Sequence, residues 1–352
     1  MRSLFRTVVL VVASVCLAAA CGTGSASPSP SGSSVTGTSG DALASVLTIY
    51  SGRSKELVGP LIDRFKAATG HDVRVDYAGT TDLASTILEE GDASPADVFF
   101  AQDAGALGAV AAEGRLARLP QATLGLIDPR FRADDGTWVG VSGRARVVVY
   151  DTRVLSEADL PSTIDAFTDP QWKGRIGWAP TNASFQSFVT AYRLLKGDGA
   201  AKAWLEGIQA NQPKVYDGND AVLAATAAGE IEVGFVNHYY LIRQQIEQGD
   251  DFPVANHFLP GGDPGALVNV AGAGILTTAR NPTAAQAFID FLLSTEGQSY
   301  FATETSEYPL IDGVPADPAL PPLTEIQSPA IDLSDLSDLE GTLKLLQESG
   351  VL

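Results

Sequence analysis

The chain contains little cysteine, little histidine and few basic residues. Its 352 residues include 2 Cys and 3 His, and 23 Lys and Arg stand against 42 Asp and Glu. The formal net charge of −19 argues against nucleic acid or an anionic lipid surface as the partner, since both would repel the chain. The charge is compatible with a cationic ligand, although an acidic surface also serves solubility alone.

Catalytic signatures are missing as well. The sequence has no GxSxG turn, no Walker loop and no HExxH pair, which mark serine hydrolases, nucleotide hydrolases and zinc peptidases. The histidines His71, His238 and His257 are not spaced as ligands of one metal ion. The sequence therefore predicts that the protein is not an enzyme.

The N-terminus has the layout of a secretory signal peptide. Arg2 and Arg6 precede an apolar run over residues 7–17, and the small residues 18–20 lead to Cys21. The run is shorter than the roughly 20 residues that a membrane-spanning helix needs. A cysteine at this point resembles a lipobox, so we expect residues 1–20 to be removed and Cys21 to carry lipid. The alternative is an ordinary signal peptide with a chance cysteine.

The use of cysteine favours the lipid anchor. Cys16 lies in the segment to be removed, which leaves Cys21 without a partner for a disulfide. Residues 22–44 are mostly Gly, Ser, Thr and Pro, a composition typical of a flexible tether. We therefore expect an exported protein, anchored to the outer face of the cytoplasmic membrane only through its N-terminal lipid.

Beyond the tether, β-rich runs alternate with amphipathic helical stretches. This alternation is typical of βαβ units, and a length of about 300 residues indicates two lobes, so we expect an α/β fold. The predicted strands are 46–50, 72–77, 97–101, 146–151, 175–179, 231–236 and 266–276. The predicted helices are 55–68, 81–90, 184–195, a stretch after Tyr240, and 282–293.

One segment that follows a strand carries two adjacent tyrosines. Open α/β sheets bind ligands beyond the carboxyl ends of their strands, and residues 237–240 (Asn-His-Tyr-Tyr) follow predicted strand 231–236. Fe(III) prefers oxygen donors, and the positive end of a helix dipole favours phenolate. Tyr239 and Tyr240 are therefore candidate iron ligands. The alternative is that one tyrosine packs in the core while the other faces water.

Several long segments resemble the bacterial ferric-ion-binding proteins, the substrate-binding components of iron(III) ABC transporters. The resemblance extends over nearly all of residues 45–350. It is carried by IYSGRSKEL (49–57), SPADVFFAQ (94–102), VSGRARVVVYDTRVLSE (141–157), WKGRIGWAPTNASF (172–185), AAGEIEVGFVNHYY (227–240), DPGALVNVAGAGIL (263–276) and EYPL (307–310).

The resemblance implies a two-lobed periplasmic-binding-protein fold of type II. Each lobe would be a mostly parallel sheet flanked by helices, and hinge strands would join the two. Lobe 1 would comprise residues 45–140 plus about 270–320, and lobe 2 about 141–269 plus 321–352. The protein would be a monomer that delivers Fe(III), bound with a synergistic anion such as carbonate or phosphate, to an ABC permease and its ATPase.

The resemblance also assigns site residues. The iron-ligating tyrosine pair of the family falls on Tyr239 and Tyr240. Asn219, expected as a helix N-cap, matches an anion-contacting residue, although Asn182 and Asn219 are also compatible with plain turn or cap roles. The residues implied in anion binding are Arg144, Asn182, Ala183, Ser184, Asn219 and Asn237.

Other ligand positions depart from the family pattern. Ser54 stands where many members have a histidine ligand, and Gln102, with Asp103 beside it, stands where a glutamate is common. Phe185 replaces a tyrosine found in some subgroups. Ser54, Gln102 and Asp103 are thus weaker candidates as metal ligands. An alternative function remains open, namely a metal-free binding protein for phosphate, a phosphonate or an organic anion.

Overall fold

The structure, a computed structural model, describes residues 46–249 and 251–352. The predicted signal peptide, Cys21 and the tether through residue 44 lie outside the described residues. Within the described ranges, every helix is too short or too polar to cross a bilayer.

The described chain forms nine strands and eleven α-helices joined by turns and longer loops. The strands are β1 (Val46–Ser51), β2 (Asp72–Tyr77), β3 (Val98–Ala101), β4 (Trp138–Asp151), β5 (Ile176–Trp178), β6 (Lys214–Val215), β7 (Val233–Asn237), β8 (Val254–His257) and β9 (Val268–Ile275). The helices are α1 (Lys55–Thr69), α2 (Thr80–Glu90), α3 (Ala104–Ala112), α4 (Gln121–Leu124), α5 (Ala183–Lys196), α6 (Asp198–Ala210), α7 (Asn219–Ala227), α8 (Tyr239–Gln248), α9 (Pro282–Leu292), α10 (Thr295–Glu304) and α11 (Leu339–Glu348).

The strands pair in the order β2-β1-β3-β9-β4-β7-β5-β6, and β8 pairs with β4. Both ends of this order are parallel, as predicted: β1 pairs in parallel with β2 and β3, and β5 with β6 and β7. In the middle of the order the pairing is antiparallel. β9 runs antiparallel to β3 and to β4, and β4 runs antiparallel to β7. The sheet is thus mixed rather than parallel throughout, and the two central strands account for the difference.

Strand β4 is the longest and links the two parallel parts. Its first half pairs with β9 through residues 138–145, and its second half pairs with β7 and β8. All 14 residues of β4 are buried. A strand buried on both faces lacks alternation of apolar and polar residues, which explains why the sequence analysis predicted only residues 146–151 of this strand. β4 and β9 occupy the place of the predicted hinge strands.

Apolar side chains pack on both faces of the sheet. In the second half of β4, Val147 and Val149 pack with α7 and β7, whereas Val148 and Tyr150 join the aromatic cluster around Trp204. Successive strand residues point to opposite faces, so helices cover the sheet on both sides. A separate, larger cluster encloses β1, β3, β9, α1 and α9.

The C-terminal segment contributes to the larger cluster and to the aromatic cluster. Leu333 and Leu336 pack with the larger cluster around β1 and β3, whereas Leu345 and Leu346 of α11 pack with the aromatic cluster. Residues 321–352 therefore divide their contacts between the two parts of the fold. The residue boundaries of the two lobes stay a prediction.

Helix α3 lies unusually close to the turn at residues 333–337. A Cβ atom placed on Gly108 would sit 2.3 Å from the carbonyl oxygen of Ser334, and one on Gly105 would sit 2.5 Å from that of Leu336. Backbone atoms cannot move aside as a flexible side chain can. These glycines therefore permit the contact that holds the C-terminal segment against α3.

We expect Gly108→Ala to lower the free energy of unfolding by about 1–3 kcal/mol, the usual cost of overpacking. Gly199→Ala is the matched control, because Gly199 also lies in a helix but has no atom within 4 Å of its added Cβ. That change should be neutral or stabilise by about 0.5–1 kcal/mol. Urea denaturation measures both, and equal stabilities for the two variants would contradict the close contact.

Candidate ligand site

The predicted site segments converge, and each follows a strand. Ser54 precedes α1 after β1, and Gln102 lies between β3 and α3. Asn182 precedes α5 after β5, and the tyrosine pair begins α8 directly after β7. Two adjoining cavities are lined by these segments, and Gln102 lines both of them. The ligand-binding edge predicted from the sheet is therefore present.

The tyrosine pair lies at the first turn of α8. The rings of Tyr239 and Tyr240 are stacked, with centroids 4.4 Å apart and planes inclined by 27°. Tyr239 is buried and Tyr240 half-buried, and both line a cavity of about 190 Å³. The alternative of one core and one solvent-facing tyrosine therefore does not describe this pair. Two phenol oxygens on one cavity can serve as a pair of metal ligands.

Asp220 and Arg243 are among the residues of this tyrosine cavity that were not predicted from the sequence. Asp220 of α7 lines it and adds a carboxylate. The guanidinium carbon of Arg243, one turn along α8 from the pair, lies 5.9 Å from the centre of the Tyr239 ring. Arg243 follows Tyr239 by four residues, the spacing of neighbours on a helix face, so this contact could have been anticipated once α8 was placed.

A second, smaller cavity is built around the start of α5. Asn182 caps this helix, with its Oδ1 accepting from the backbone N–H of Ser184 at 3.0 Å. The Ser184 hydroxyl donates to the same oxygen at 2.6 Å, and the Asn219 amide donates to Ser184 Oγ at 3.1 Å. The expectation that Asn219 is an N-cap is wrong: Gly218 takes that position, and Asn219 is the first helical residue. Its side chain is thereby free to reach Ser184.

Strand β4 brings two buried arginines to this smaller cavity. Arg144 donates to the backbone carbonyl of Gln102, and Arg146 donates to Asn237 Oδ1 and Ser184 Oγ, both at 3.3 Å. Both arginines line the cavity together with Ala183. Arg146 was missed from the sequence, although residues two apart on a strand share a face and Arg144 had been singled out.

Arg146 lacks a carboxylate partner within residues 46–249 and 251–352. Burial lowers the pKa of its guanidinium to about 10, while the charges of Tyr240 and Tyr239 act in the opposite direction. A buried cation without a counterion is costly. The site therefore favours an anion or a tyrosinate beside Arg146.

Tyr240 is not ionised by its surroundings alone. Burial raises the pKa of Tyr240 well above its usual value, and the neighbouring Tyr239 and Asp220 raise it further. A phenolate at Tyr240 therefore needs a cation in the cavity. Binding of Fe(III) would supply that charge and release protons.

The remaining predicted ligand positions offer few metal donors. Ser54 and Gln102 line the tyrosine cavity but are neutral. Asp103 lines the smaller cavity and caps α3, its Oδ1 accepting from the Ala106 N–H at 3.1 Å. Phe185 is fully buried in the aromatic cluster. In the described part of the chain, no three His, Cys, Asp or Glu side chains come together as a metal site, so tyrosine oxygens must lead any coordination.

A buried ion pair borders the tyrosine cavity. Nη2 of Arg53 donates to both carboxylate oxygens of Glu307, at 2.9 and 3.0 Å, and the Ser142 hydroxyl donates to Glu307 at 2.6 Å. Burial alone would raise the pKa of Glu307, but the charges of Arg53 and Arg144 and these hydrogen bonds hold it below its usual value. Glu307 is thus ionised and paired with Arg53, and the charge of Arg144 also favours its carboxylate form.

His238, directly before the tyrosine pair, is structural rather than a ligand. Its Nδ1 accepts from the Ala145 N–H at 3.1 Å, so Nε2 carries the proton and donates to the Ser306 carbonyl at 3.0 Å. Both ring nitrogens are occupied. Burial lowers the pKa of His238 to about 4, and the neutral ring ties β4 to the segment before Glu307.

The sequence is similar to those of known proteins. A sequence profile of the bacterial extracellular solute-binding proteins matches residues 60–327. The chain is 38% identical over 315 residues to the major ferric iron-binding protein of Neisseria meningitidis serogroup B, covering 88% of this chain and 94% of that protein. The chain belongs to the bacterial extracellular solute-binding proteins and, among them, to the family of the ferric-ion-binding proteins.

Solved structures share the fold. Iron-bound HitA from Pseudomonas aeruginosa superposes with a TM-score of 0.80 at 36% identity, covering 87% of this chain and 99% of HitA. A Trichodesmium protein (IdiA, FutA) in complex with iron and citrate superposes with a TM-score of 0.77 at 30% identity, again covering 87% and 99% of the two chains. The predicted two-lobed periplasmic-binding-protein fold is confirmed.

The buried His238 makes stability depend on pH. Its pKa rises from about 4 in the folded protein to about 6.5 on unfolding, so the unfolded chain binds the extra proton between these values. The stability that the neutral ring contributes is complete above pH 6.5 and is lost as the pH falls towards 4. We expect this loss to be about 3 kcal/mol.

His238→Gln isolates this contribution, because an amide can accept from Ala145 and donate to Ser306 without titrating. The free energy of unfolding should fall less between pH 6.5 and 4 in this variant than in the wild type. His71→Gln, in another part of the protein, should keep the wild-type slope. Equal slopes for wild type and His238→Gln would refute the assignment.

Proposed function

We propose that this protein captures Fe(III) together with an anion outside the cytoplasmic membrane and delivers it to an ABC permease. The observation that carries the proposal is the stacked pair Tyr239 and Tyr240 on one cavity at the start of α8. Phenolate is among the best protein donors for Fe(III). The iron-binding relatives support the same ligand for this chain.

The smaller cavity supports an anion as the second part of the ligand. Arg144 and Arg146 supply positive charge, and Ser184 lies at the N-terminus of α5, where backbone N–H groups favour anions. Asn182 and Asn219 hold the Ser184 hydroxyl in place. We propose carbonate, phosphate or an organic acid in this place. The anion would complete part of the coordination that Ser54, Gln102 and Asp103 do not supply.

Delivery follows from binding at a cleft between two lobes. A ligand that contacts both lobes stabilises the closed state by its differential affinity. Release would then follow from opening by the permease, loss of the anion or protonation of the phenolates. We propose residues 45–140 with about 270–320, and about 141–269 with 321–352, as the lobes of a monomer that carries out no covalent chemistry.

Replacing the tyrosine pair tests the iron assignment. Tyrosinate bound to Fe(III) gives a visible charge-transfer band, so wild-type protein loaded with Fe(III) and an anion should be coloured. Tyr239→Phe and Tyr240→Phe should each remove a donor and weaken ferric binding at least about tenfold. The double variant should lose the band, as measured by absorption and by competition for iron.

Tyr77→Phe is the matched control, because this half-buried tyrosine lies at the end of β2 and is not part of the cavity lining. It should keep both colour and affinity. A colourless wild type that is stabilised equally by phosphate with and without iron would instead favour the metal-free anion-binding function.

We propose that Cys21 carries the lipid that anchors the protein to the outer face of the membrane. A Cys21→Ala variant should lose incorporation of labelled fatty acid and move from the membrane to the soluble fraction. Cys16→Ala serves as the control and should keep the label. Labelling that persists without Cys21 would show that the anchor lies elsewhere.

A further inference from the structure

The two sides of the tyrosine cavity differ in the metal donors that they offer. Helices α7 and α8 form one side, which presents Asp220 together with Tyr239 and Tyr240. The opposite side is formed by Arg53, Ser54, Leu57, Gln102, Thr305 and Glu307. Glu307 is the one carboxylate of that side, and Arg53 already donates to both of its oxygens. Uncommitted anionic donors in this cavity therefore come from α7 and α8.

Asp220 lies in the first turn of α7, which faces the tyrosine pair. Asn219 directly precedes it, and the Asn219 amide donates to Ser184 Oγ at 3.1 Å. Both residues act on the phenol of Tyr240, since Asn219 lowers its pKa and Asp220 raises it. The start of α7 thus reaches the smaller cavity through Asn219 and the tyrosine cavity through Asp220.

The Asp220 carboxylate is not committed to another role. Burial raises its pKa and the charge of Arg243 opposes this effect, and no hydrogen bond within the described residues contributes. An acidic residue in the first turn of a helix also interacts favourably with the helix dipole. That role alone, however, does not require a position on the cavity beside two phenol groups. The carboxylate is therefore available to a cation in the cavity.

The charge of Fe(III) favours a third anionic donor. Two phenolates leave one positive charge on the ion, and Ser54 and Gln102 are neutral side chains that cannot balance it. Asp220 supplies one negative charge from the same side of the cavity as the tyrosines. A carboxylate oxygen is a hard donor, as a phenolate oxygen is, and both suit a hard cation.

We propose that Asp220 is a third protein ligand of Fe(III), so that the anionic protein donors all lie on the side formed by α7 and α8. This side captures the ion, and the side that carries Ser54 and Gln102 covers it without adding charge. The inference rests on the proposed iron-binding function and adds a ligand to it.

Asp220→Asn tests the assignment, because it keeps the size of the side chain and removes its charge. Asp220 is exposed, so the variant should fold, which thermal unfolding without iron verifies. Ferric binding should weaken at least about tenfold, as measured by competition with a chelator of known affinity. The charge-transfer band should also move to longer wavelength, because Fe(III) with a neutral donor in place of a carboxylate accepts electron density more readily.

Asp217→Asn is the matched control. It removes the same charge from the loop before α7, and Asp217 is exposed and is not part of the cavity lining. This variant should keep the affinity and the wavelength of the wild type. Asp220→Glu retains a carboxylate and should bind iron more tightly than Asp220→Asn.

The contrary outcomes are distinguishable. Wild-type affinity in Asp220→Asn shows that Asp220 is not a ligand. Weaker binding with an unchanged wavelength, or an equal loss in Asp217→Asn, shows that Asp220 acts only through its charge and also overturns the proposal. In each of these cases a coloured wild type leaves the iron-binding function intact. A wild type that stays colourless with Fe(III) and an anion removes that function, and this inference with it.

Discussion

The site depends on the pairing of one strand with both parts of the sheet. β4 runs antiparallel to β9 in its first half and to β7 in its second half. Side chains two residues apart share a face, so Ser142, Arg144 and Arg146 arrive as a row beside the cavities. The same register places Arg146 opposite Asn237, which lies two residues before Tyr239. A shift of the strand by one residue would turn this row away from the cavities.

This arrangement concentrates positive charge where a cation is to bind. The contradiction is resolved if the cation arrives with anions, because the arginines then contact the anion while the tyrosines contact the metal. Burial keeps the pKa of Tyr240 high, so without a bound cation this side chain is a phenol rather than a phenolate. If the proposed iron and anion bind together, proton release is linked to their binding. A ligand missing either component would leave a buried charge unpaired.

Much of this could be predicted from sequence where the signal is local. The tyrosine pair, the Asn182 cap and the predicted strands 46–50 and 72–77 follow from short patterns of chemistry and periodicity. The antiparallel course of β9 between β3 and β4 could not be predicted, since pairing between distant segments leaves no local pattern. Asp220 was overlooked for a related reason. It is one acidic residue among 42, and only the packing of α7 against α8 brings it to the tyrosines.

The most direct test of the account is a crystal structure of the iron-loaded protein, with the metal located by its anomalous scattering at the iron edge. The account predicts one iron peak bonded to the phenol oxygens of both Tyr239 and Tyr240, with ligand density extending towards Arg146. An iron peak elsewhere, or density beside Arg146 with no metal at the tyrosines, would contradict it.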